Sequence, residues 1–437
     1  MTATQATPLK QKSPAALTSR PLRFAMVTTF YPPANFGGDG QYVRRLAHAL
    51  VRHGHEVEVI HDADAYRLLS GGKDCEPLPE PEGLTVHSLR SGAPALSCLT
   101  TQQLGRPLVH GPRIRKILAR GFDVIHFHNI SLVGGPGILS FGEGIKLYTA
   151  HEHWLVCPMH ILWRHNRELC TGRQCIRCAL AHKRPPQLWR AGDFLSRQAR
   201  HIDAFIALSR FSAEKHAEFG FAHPMIVLPS FLPDAPMDEP VRRPPESGRP
   251  YFLFAGRLEA TKGLQEVIPA FDDKNPADLL IAGSGAYESQ LRTLARGRPV
   301  QFLGHQTSKL LRALCAGAHA LIASSVCYEV FPLVLLEAFQ QGVPVIARRL
   351  GPYPEIVEAS GGGFMFQNRE ELVAAIHTLT ADKAKRDAMG EAARGAFTRL
   401  WSEKIAIEAY FNLIQSIAER RNLSAIREAF GHRNSAA

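Results

Sequence analysis

Short apolar segments alternate with amphipathic segments along almost the whole chain, and this alternation limits the folds open to it. In the first half, residues 23–30 are a continuous apolar run typical of a buried strand, and 55–60, 122–129 and 145–150 are predicted to be further strands. Segments with helical periodicity separate them, and the clearest runs from about 41 to 52. Strands that alternate with helices at this spacing favour parallel, doubly wound sheets.

The segment from 232 to 250 divides this alternation into two halves. It contains six prolines and no periodic pattern, which is typical of a linker. A chain of 437 residues is long enough for two domains. We therefore expect an α/β protein with two Rossmann-like, doubly wound domains that face each other across a cleft. The predicted parts are a disordered tail (1–22), a first domain (23–235) with a cysteine-rich insertion (152–190), a linker (236–250), a second domain (251–400), and a C-terminal helix and tail (401–437) that pack back on the first domain.

The charge of the chain suggests an anionic partner, such as nucleic acid, a lipid surface or a phosphorylated substrate. The formal net charge is +11, and residues 157–200 hold nine Lys or Arg against two acidic residues. No apolar run reaches the roughly 18–20 residues of a membrane-spanning helix, and the first 20 residues lack the apolar centre of a secretory signal. These features predict a protein of the reducing cytoplasm.

Two cations follow the first strand of the second half. Arg257 and Lys262 lie in the stretch GRLEATKG. An Arg can chelate two phosphate oxygens, whereas a Lys acts as a point charge. We predict that Lys262 opens a helix from 262 to 271 whose N-terminus also attracts anions. The alternative is a pair of solvated surface cations.

Two carboxylates, Glu329 and Glu337, are separated by seven residues. Pro332 suits the first turn of a helix, so we expect Glu329 in the preceding loop and Glu337 inside the helix. Carboxylates at such a place can bind the hydroxyls of a sugar and a ribose. Surface glutamates with this spacing are common, but the flanking strands put both residues at the same sheet edge as Arg257 and Lys262.

Taken in order, GRLEATKG, IAGSG and EVFPLVLLEAFQQGVPVIAR resemble the retaining glycosyltransferases of the GT4 group, also called glycosyl transferases group 1. The first half agrees with this family through Gly37-Gly38, FDVIHFH at 122–128 and the strand-end Thr149-Ala-His151. The similarity covers about residues 23–420 and implies the GT-B fold.

The resemblance also implies a role for each matching residue. Arg257 and Lys262 would bind the diphosphate of a nucleotide sugar, Glu337 its ribose, and Glu329 the hydroxyls of the transferred sugar. Val330 and Phe331 would adjoin that sugar, although the family usually has Phe-Gly here. From the first domain, the backbone at Gly37 and Gly38 would approach the donor, and His151 would line the reaction centre as a catalytic residue.

Such enzymes retain anomeric configuration without a catalytic metal, because cations and a helix dipole stabilise the leaving diphosphate. The expected reaction is transfer of a sugar to a saccharide or lipid-linked saccharide acceptor in the biosynthesis of cell-surface polysaccharide or glycoconjugates. The basic stretch favours peripheral attachment to an anionic membrane at its inner face. The alternatives are a zinc-containing nucleic-acid-binding protein, or another GT-B enzyme such as a sugar-nucleotide epimerase or a phosphorylase.

The remaining histidines are expected to have structural places. We interpret His126 and His128 as packing and hydrogen-bonding residues at a strand end, and His55 and His61 as surface residues.

Four of the eight cysteines lie within 22 residues, with the spacing C-x12-C-x4-C-x2-C. Four thiolates suit a tetrahedral zinc site, and in a reducing compartment clustered cysteines bind metal more often than they form disulfides. We predict a structural zinc site, with free thiols and disulfides as the alternatives; its ligands would be Cys157, Cys170, Cys175 and Cys178.

Overall fold

The computed structural model describes residues 18–234, 248–272 and 276–430. Most of the predicted N-terminal tail, residues 236–247 of the predicted linker (236–250), and the last seven residues lie outside these ranges.

Two parallel sheets organise the described residues, and a third sheet is a short antiparallel pair. The strands of the first half are β1 (Arg23–Thr28), β2 (Glu56–Asp62), β3 (Leu84–Leu89), β4 (Val124–Phe127), β5 (Ile145–Ala150), the short β6 (Trp163–Arg164) and β7 (Glu168–Leu169), β8 (Ala204–Ala207) and β9 (Met225–Val227). Those of the second half are β10 (Tyr251–Ala255), β11 (Asp278–Ala282), β12 (Val300–Gly304), β13 (Ala320–Ala323), β14 (Val345–Arg348) and β15 (Gly363–Phe366).

Helices connect these strands in both halves. In the first half they are α1 (Gly38–Arg52), α2 (Ala63–Leu69), α3 (Pro94–Leu104), α4 (Gly111–Leu118), α5 (Cys175–Ala181), α6 (Phe194–Ala199) and α7 (Arg210–Glu218). In the second half they are α8 (Leu264–Val267), α9 (Glu288–Leu294), α10 (Ser308–Ala316), α11 (Leu333–Gln340), α12 (Tyr353–Ser360), α13 (Arg369–Ala381), α14 (Lys383–Leu400), α15 (Glu403–Arg420) and α16 (Ser424–Ala429).

The strand order shows two Rossmann-like halves, as expected. The first sheet runs β3-β2-β1-β4-β5-β8-β9 and the second runs β12-β11-β10-β13-β14-β15, with parallel pairing throughout both. The order reverses between β1 and β4 and between β10 and β13. Ligands of such sheets bind beyond the carboxyl ends of the strands at these switch points.

The continuous apolar runs of the sequence are explained by cores on both sides of each sheet. Alternate residues of a strand point to opposite faces. In β1, Phe24 and Met26 belong to one buried cluster and Ala25 and Val27 to the other. A strand buried on both faces needs apolar side chains at every position, so it shows no alternation with polar residues.

The C-terminal helix α15 packs against the first sheet. Phe411 is fully buried in the same cluster as Phe24, and the Tyr410 hydroxyl lies 3.0 Å from His126 Nδ1. At the end of this helix, Arg421 pairs with Asp203 at 2.8 Å. The chain therefore crosses back from the second half to the first.

One predicted helix is wrong. The chain from 262 to 271 forms a 3-10 turn at Ala260–Lys262, the single-turn α8, and a second 3-10 turn at Ile268–Ala270. Pro269 lacks the backbone N–H that a longer helix would need at this position. Lys262 therefore lies just before Gly263, the N-cap of the single-turn α8, and does not open a helix of ten residues.

Candidate active site

A cavity of about 600 Å³ lies between the two halves, at the carboxyl ends of both sheets. Residues after β1 and β5 form one wall, and residues after β10 and β13 form the other. All nine residues predicted for donor binding and catalysis line this cavity: Gly37, Gly38, His151, Arg257, Lys262, Glu329, Val330, Phe331 and Glu337.

Lys262 and Glu329 form a close ion pair in the wall of the cavity. Lys262 Nζ lies 2.7 Å from Glu329 Oε1, and the Ser325 hydroxyl donates to the same oxygen at 2.6 Å. Burial disfavours the charge of the carboxylate, but the Lys262 ammonium and the two hydrogen bonds hold the pKa of Glu329 below its ordinary value. Glu329 is therefore an anion at neutral pH, and it is held in one position.

The loop that carries Lys262 is tied to the end of β13. The Ser324 hydroxyl donates to the Lys262 carbonyl oxygen at 2.8 Å, and the Val326 N–H donates to the Thr261 carbonyl oxygen at 2.8 Å. Gly263 follows with a φ of +74°, and a Cβ there would collide with the Ser324 carbonyl oxygen. A glycine is thus required for the two loops to meet at the switch point.

Arg257 lies at the mouth of the cavity, where it is exposed and pairs with Glu259 at 2.8 Å. Because surface ion pairs contribute little, the guanidinium can exchange this partner for a ligand anion at low cost. Arg257 and Lys262 together give the second-domain wall two cations.

Glu337 lies on α11, between the main cavity and a second cavity of about 440 Å³ that shares part of its lining. Burial raises the pKa of Glu337, and the positive charges of Arg45 and Arg312 oppose this effect. Arg45 comes from α1 of the first domain, and its Nη1 also donates to the Phe231 carbonyl oxygen at 3.0 Å. Both domains therefore determine the electrostatics of this carboxylate.

The residues after Glu329 hold the two domains together. Val330 is buried in a core cluster of the first domain, and its carbonyl oxygen accepts a hydrogen bond of 2.7 Å from the Ser209 hydroxyl. Phe331 packs on core clusters of both domains. The Val-Phe pair thus anchors the loop of Glu329 as well as lining the cavity.

The glycine loop of the first domain closely approaches the second domain. A Cβ at Gly38 would lie 3.3 Å from Leu333 Cδ1, at the start of α11. Asp39 follows at the first turn of α1, and one of its oxygens accepts a hydrogen bond of 2.9 Å from Asn129 Nδ2. This loop therefore faces the N-terminus of α11 across the cavity.

His151 is half-buried and lies beside the buried His126 and His128, at the ends of β4 and β5. Its Nε2 lies 3.0 Å from His128 Nδ1, and its ring packs on Tyr42 at 4.8 Å. Burial lowers the pKa of His151 to about 4, so the imidazole is neutral at physiological pH. His126 is buried between Thr149 and Tyr410, as expected for a packing residue.

Two other expectations for histidines are wrong. His55 and His61 are both buried. The His55 ring accepts a hydrogen bond from the Leu22 N–H, and the His61 ring is hydrogen-bonded to the Ser88 hydroxyl. Periodicity cannot show that a polar side chain at a strand end is covered by another element.

Sequence reasoning missed three residues of the site. Asp39 and Ser325 line the main cavity, and Arg45 lines the adjoining one. Asp39 could have been found from its place directly after Gly37-Gly38. Ser325 and Arg45 carry no such signal, because their roles depend on contacts between distant segments.

The four clustered cysteines all line one small cavity between Val156 and Phe219, outside the active-site cleft, and none forms a disulfide. Among the residues that the structure describes, one group of three potential metal ligands has all its ligand atoms within 4.8 Å of one another. It consists of Asp62, Asp64 and His110. These three side chains are buried, and His110 lies 3.0 Å from Asp64, so a charge network accounts for them. The zinc site at the cysteines stays a prediction.

Comparison with known proteins identifies the family. The model of the glycosyl transferases group 1 matches residues 238–396, and that of the glycosyl transferase 4-like domain matches residues 37–230. Together they match most of the chain. The chain belongs to the GT4-type glycosyltransferases of group 1. It is therefore an enzyme, and this assignment replaces the alternatives of a nucleic-acid-binding protein and a sugar-nucleotide epimerase.

Individual relatives agree with this family. The glycosyltransferase is 28% identical to a glycogen synthase of Mycobacterium tuberculosis over 86% of this chain and 90% of that protein. It is 31% identical to a GDP-mannose-dependent monoacylated phosphatidylinositol monomannoside mannosyltransferase of Corynebacterium glutamicum, over 49% of this chain and 62% of that one. The solved structure of Anabaena HepE in complex with UDP-glucose superposes with a TM-score of 0.62 at 17% identity, over 92% of this chain and 99% of that one. This likeness confirms the GT-B fold.

None of the glycosyltransferase's helices in the described ranges combines the length and the apolar character needed to cross a membrane.

Proposed function

We propose that the enzyme transfers a sugar, with retention of anomeric configuration, from a nucleotide-diphosphate sugar to a saccharide or lipid-linked saccharide acceptor. The observation that carries this proposal is the convergence of Arg257, Lys262, Glu329 and Glu337 on one cavity at the β10–β13 switch point. Two cations and two carboxylates in this order suit a diphosphate between a sugar and a ribose.

In this proposal the donor lies along the second-domain wall. Its diphosphate binds Arg257 and Lys262, whose charges replace its hydration. The ribose hydroxyls bind Glu337, and the nucleoside base occupies the adjoining cavity, whose lining includes the apolar Leu253, Leu311 and Leu321. The UDP-glucose held by HepE is a ligand of this chemical class.

The transferred sugar then lies against Glu329, with Val330 and Phe331 beside it. Glu329 accepts hydrogen bonds from the sugar hydroxyls, because its charge is fixed by Lys262 and Ser325. Lys262 therefore has two tasks, since it positions Glu329 and also binds the diphosphate. His151, neutral and opposite in the cavity, can hydrogen-bond the sugar or the acceptor without repelling the donor.

In the reaction, the bond between the anomeric carbon and the phosphate oxygen breaks, and its electron pair goes to the leaving nucleoside diphosphate. The acceptor hydroxyl oxygen forms its bond to the same face of the anomeric carbon and passes its proton to the departing diphosphate oxygen. Arg257, Lys262 and the N-terminus of α11 stabilise the developing negative charge. These groups supply the stabilisation without a catalytic metal.

The acceptor enters from the first domain, and we assign its biosynthetic setting to cell-surface polysaccharide or glycoconjugates made in the cytoplasm. Lipid-linked acceptors lie at a membrane, as does the acylated substrate named for the mannosyltransferase of C. glutamicum. A surface patch of the first domain suits attachment to such a membrane. It consists of three exposed apolar residues, Ile176, Leu180 and Leu188, and three exposed cations, Arg177, Lys183 and Arg184.

This patch combines the two features that bind anionic bilayers. Ile176, Leu180 and Leu188 are 67%, 61% and 63% exposed, and apolar side chains can enter the headgroup layer. Each nearby cation adds at most about 1 kcal/mol of attraction.

We expect the enzyme to sediment with vesicles of phosphatidylglycerol and phosphatidylcholine at low salt. The double variant Ile176→Ser plus Leu180→Ser should lose this binding. The exposed Leu400→Ser, on the second domain, is the control. No preference for anionic vesicles would contradict attachment.

Calorimetric titration with UDP, GDP, ADP and dTDP tests the donor site. At least one nucleoside diphosphate should bind, and Arg257→Ala plus Lys262→Ala should weaken it by about tenfold to a hundredfold for each charge-assisted hydrogen bond removed. Arg292→Ala, which removes a surface cation of the same domain, should bind as the wild type does. Binding of none of the four, or undiminished binding in the double variant, would overturn the proposal. The anomeric configuration of the product, read by NMR, tests retention.

A further inference from the structure

The cysteine-rich insertion folds so that its four cysteines line one small cavity. Cys157 follows a 3-10 turn, and the β6–β7 hairpin brings Cys170 back beside it, where the Cys170 N–H donates to the Leu162 carbonyl oxygen at 2.8 Å. Cys175 and Cys178 lie on α5. The four residues thereby line the same small cavity.

A backbone N–H already points at one of the sulfur atoms. The His165 N–H donates to Cys178 Sγ at 3.3 Å. Hydrogen bonds of this direction stabilise a thiolate, since a thiolate is the better acceptor. Metal-bound cysteines are thiolates, so this backbone suits metal ligation.

The loop adopts a costly backbone to place this donor. His160, Leu162, His165 and Asn166 all have positive φ angles between 49° and 71°. For residues other than glycine, such conformations are unfavourable. A small hairpin with two two-residue strands offers little to offset that cost, whereas a tetrahedral metal site contributes folding free energy directly.

We infer that Cys157, Cys170, Cys175 and Cys178 bind one zinc ion, which fixes the insertion to the first domain. Binding releases one proton from each thiol. The product has a formal charge of −2, and Arg164 and Arg173, which line the same cavity, oppose it. The arginines of this stretch thus have a local partner within the insertion.

Metal binding must draw the sulfur atoms together. Bonds of about 2.3 Å place tetrahedral sulfur atoms about 3.8 Å apart, whereas no three of these four sulfur atoms lie within 4.8 Å of one another in the part of the chain that the structure describes. Cys170 and Cys175 are half-buried, whereas Cys157 and Cys178 are buried. Gly172 lies between the two half-buried cysteines in sequence, and a Cβ added to it would meet no other atom within 4 Å. The segment that has to move therefore has room to do so.

The position of this site links it to the active-site cleft. Glu152 and Ile161, on either side of Cys157, line the main cavity. The His153 N–H donates to the His160 carbonyl oxygen at 2.8 Å, and His160 pairs with Glu152 at 2.6 Å. Zinc at Cys157 would fix this wall. On the proposed function, its loss should raise the acceptor KM and leave nucleoside-diphosphate affinity unchanged.

The metal content of the full-length protein tests the inference without any assay of activity. Protein purified without chelators should contain about one zinc per chain by mass spectrometry of the element. Cobalt(II) in place of zinc should give thiolate-to-metal charge-transfer absorption and the d–d bands of a tetrahedral site. Zinc well below one equivalent, iron in its place, or an octahedral cobalt spectrum would overturn it.

Single substitutions assign the ligands. Cys170→Ser and Cys175→Ser, on the half-exposed side, should each lose most of the zinc. Cys98→Ser, a buried cysteine of the same domain outside the cluster, should retain it. If the ligand variants do not fold, thiol titration of the native wild type decides, because zinc-bound cysteines react only after chelation. Four thiols of the insertion that react at once without chelator, or a disulfide among them, would overturn the inference.

Discussion

At the scale of single residues, the Lys262–Glu329 pair separates nucleotide binding from turnover. Glu329→Gln keeps the shape of the side chain but removes its charge, so the sugar loses its acceptor while Lys262 remains available to the diphosphate. We expect kcat to fall about a hundredfold, the range for loss of one preorganised polar contact in a transition state. Nucleoside-diphosphate affinity should change by no more than about threefold. Steady-state kinetics and calorimetry measure the two effects.

The other carboxylate supplies the matched control. Glu337→Gln changes the group that binds the ribose, so it should weaken nucleoside-diphosphate binding by about tenfold. This is the affinity expected to be lost with one hydrogen bond to a charged group. If Glu329→Gln weakened nucleotide binding as much as Glu337→Gln does, the two carboxylates would not have separate tasks. The pair Lys262–Glu329 would then be a structural ion pair.

At the scale of elements, the loop of Glu329 depends on a contact made by α7 of the other domain. The Ser209 hydroxyl donates to the Val330 carbonyl oxygen and also accepts the Ser212 N–H as the cap of α7. Ser209→Ala should cost about 1–2 kcal/mol of stability, because it removes both the hydrogen bond and the cap. It should also lower kcat, because Glu329 is held less firmly, with little change in nucleotide affinity.

Ser209→Thr tests whether the loss of the hydroxyl causes these effects, since threonine retains both the hydrogen-bond donor to Val330 and the cap of α7. This variant should restore kcat and most of the stability, as measured by kinetics and by denaturant unfolding. A Ser209→Ala enzyme of normal kcat but reduced stability would show that the contact supports the fold and not the position of Glu329.

The same element shows what sequence could and could not predict. The four central strands of the second domain are clear in the sequence because they are buried on both faces. The predicted places of Glu329 before α11 and of Glu337 inside it are confirmed. The anchoring of Val330 could not be predicted, since it depends on α7, more than a hundred residues away. The prediction of a helix from 262 to 271 failed because it gave the apolar periodicity more weight than the helix-breaking effect of Pro269. The sequence prediction also missed the edge strand β3.

At the scale of the whole molecule, buried histidines make the fold sensitive to acid. Burial lowers the pKa of many histidines from the ordinary value of 6.5, among them to about 4 for His55, His61, His151 and His216 and to about 3 for His126. Below pH 6.5 the unfolded chain therefore binds protons that the folded chain does not. Their contribution to stability is present above pH 6.5 and is lost as the pH falls toward 4.

Asp62 acts in the opposite direction, because burial raises its pKa to about 7 and the folded chain then binds the extra proton. Each group is worth at most about 1.4 kcal/mol per pH unit, so the buried histidines together outweigh one aspartate. We expect the free energy of unfolding to fall by at least about 2 kcal/mol between pH 6.5 and 5.5, measured by urea unfolding at constant ionic strength. His61→Gln should reduce this slope, and the exposed His377→Gln should not. Stability that is constant or rises on acidification would show that the buried histidines find acidic partners on protonation.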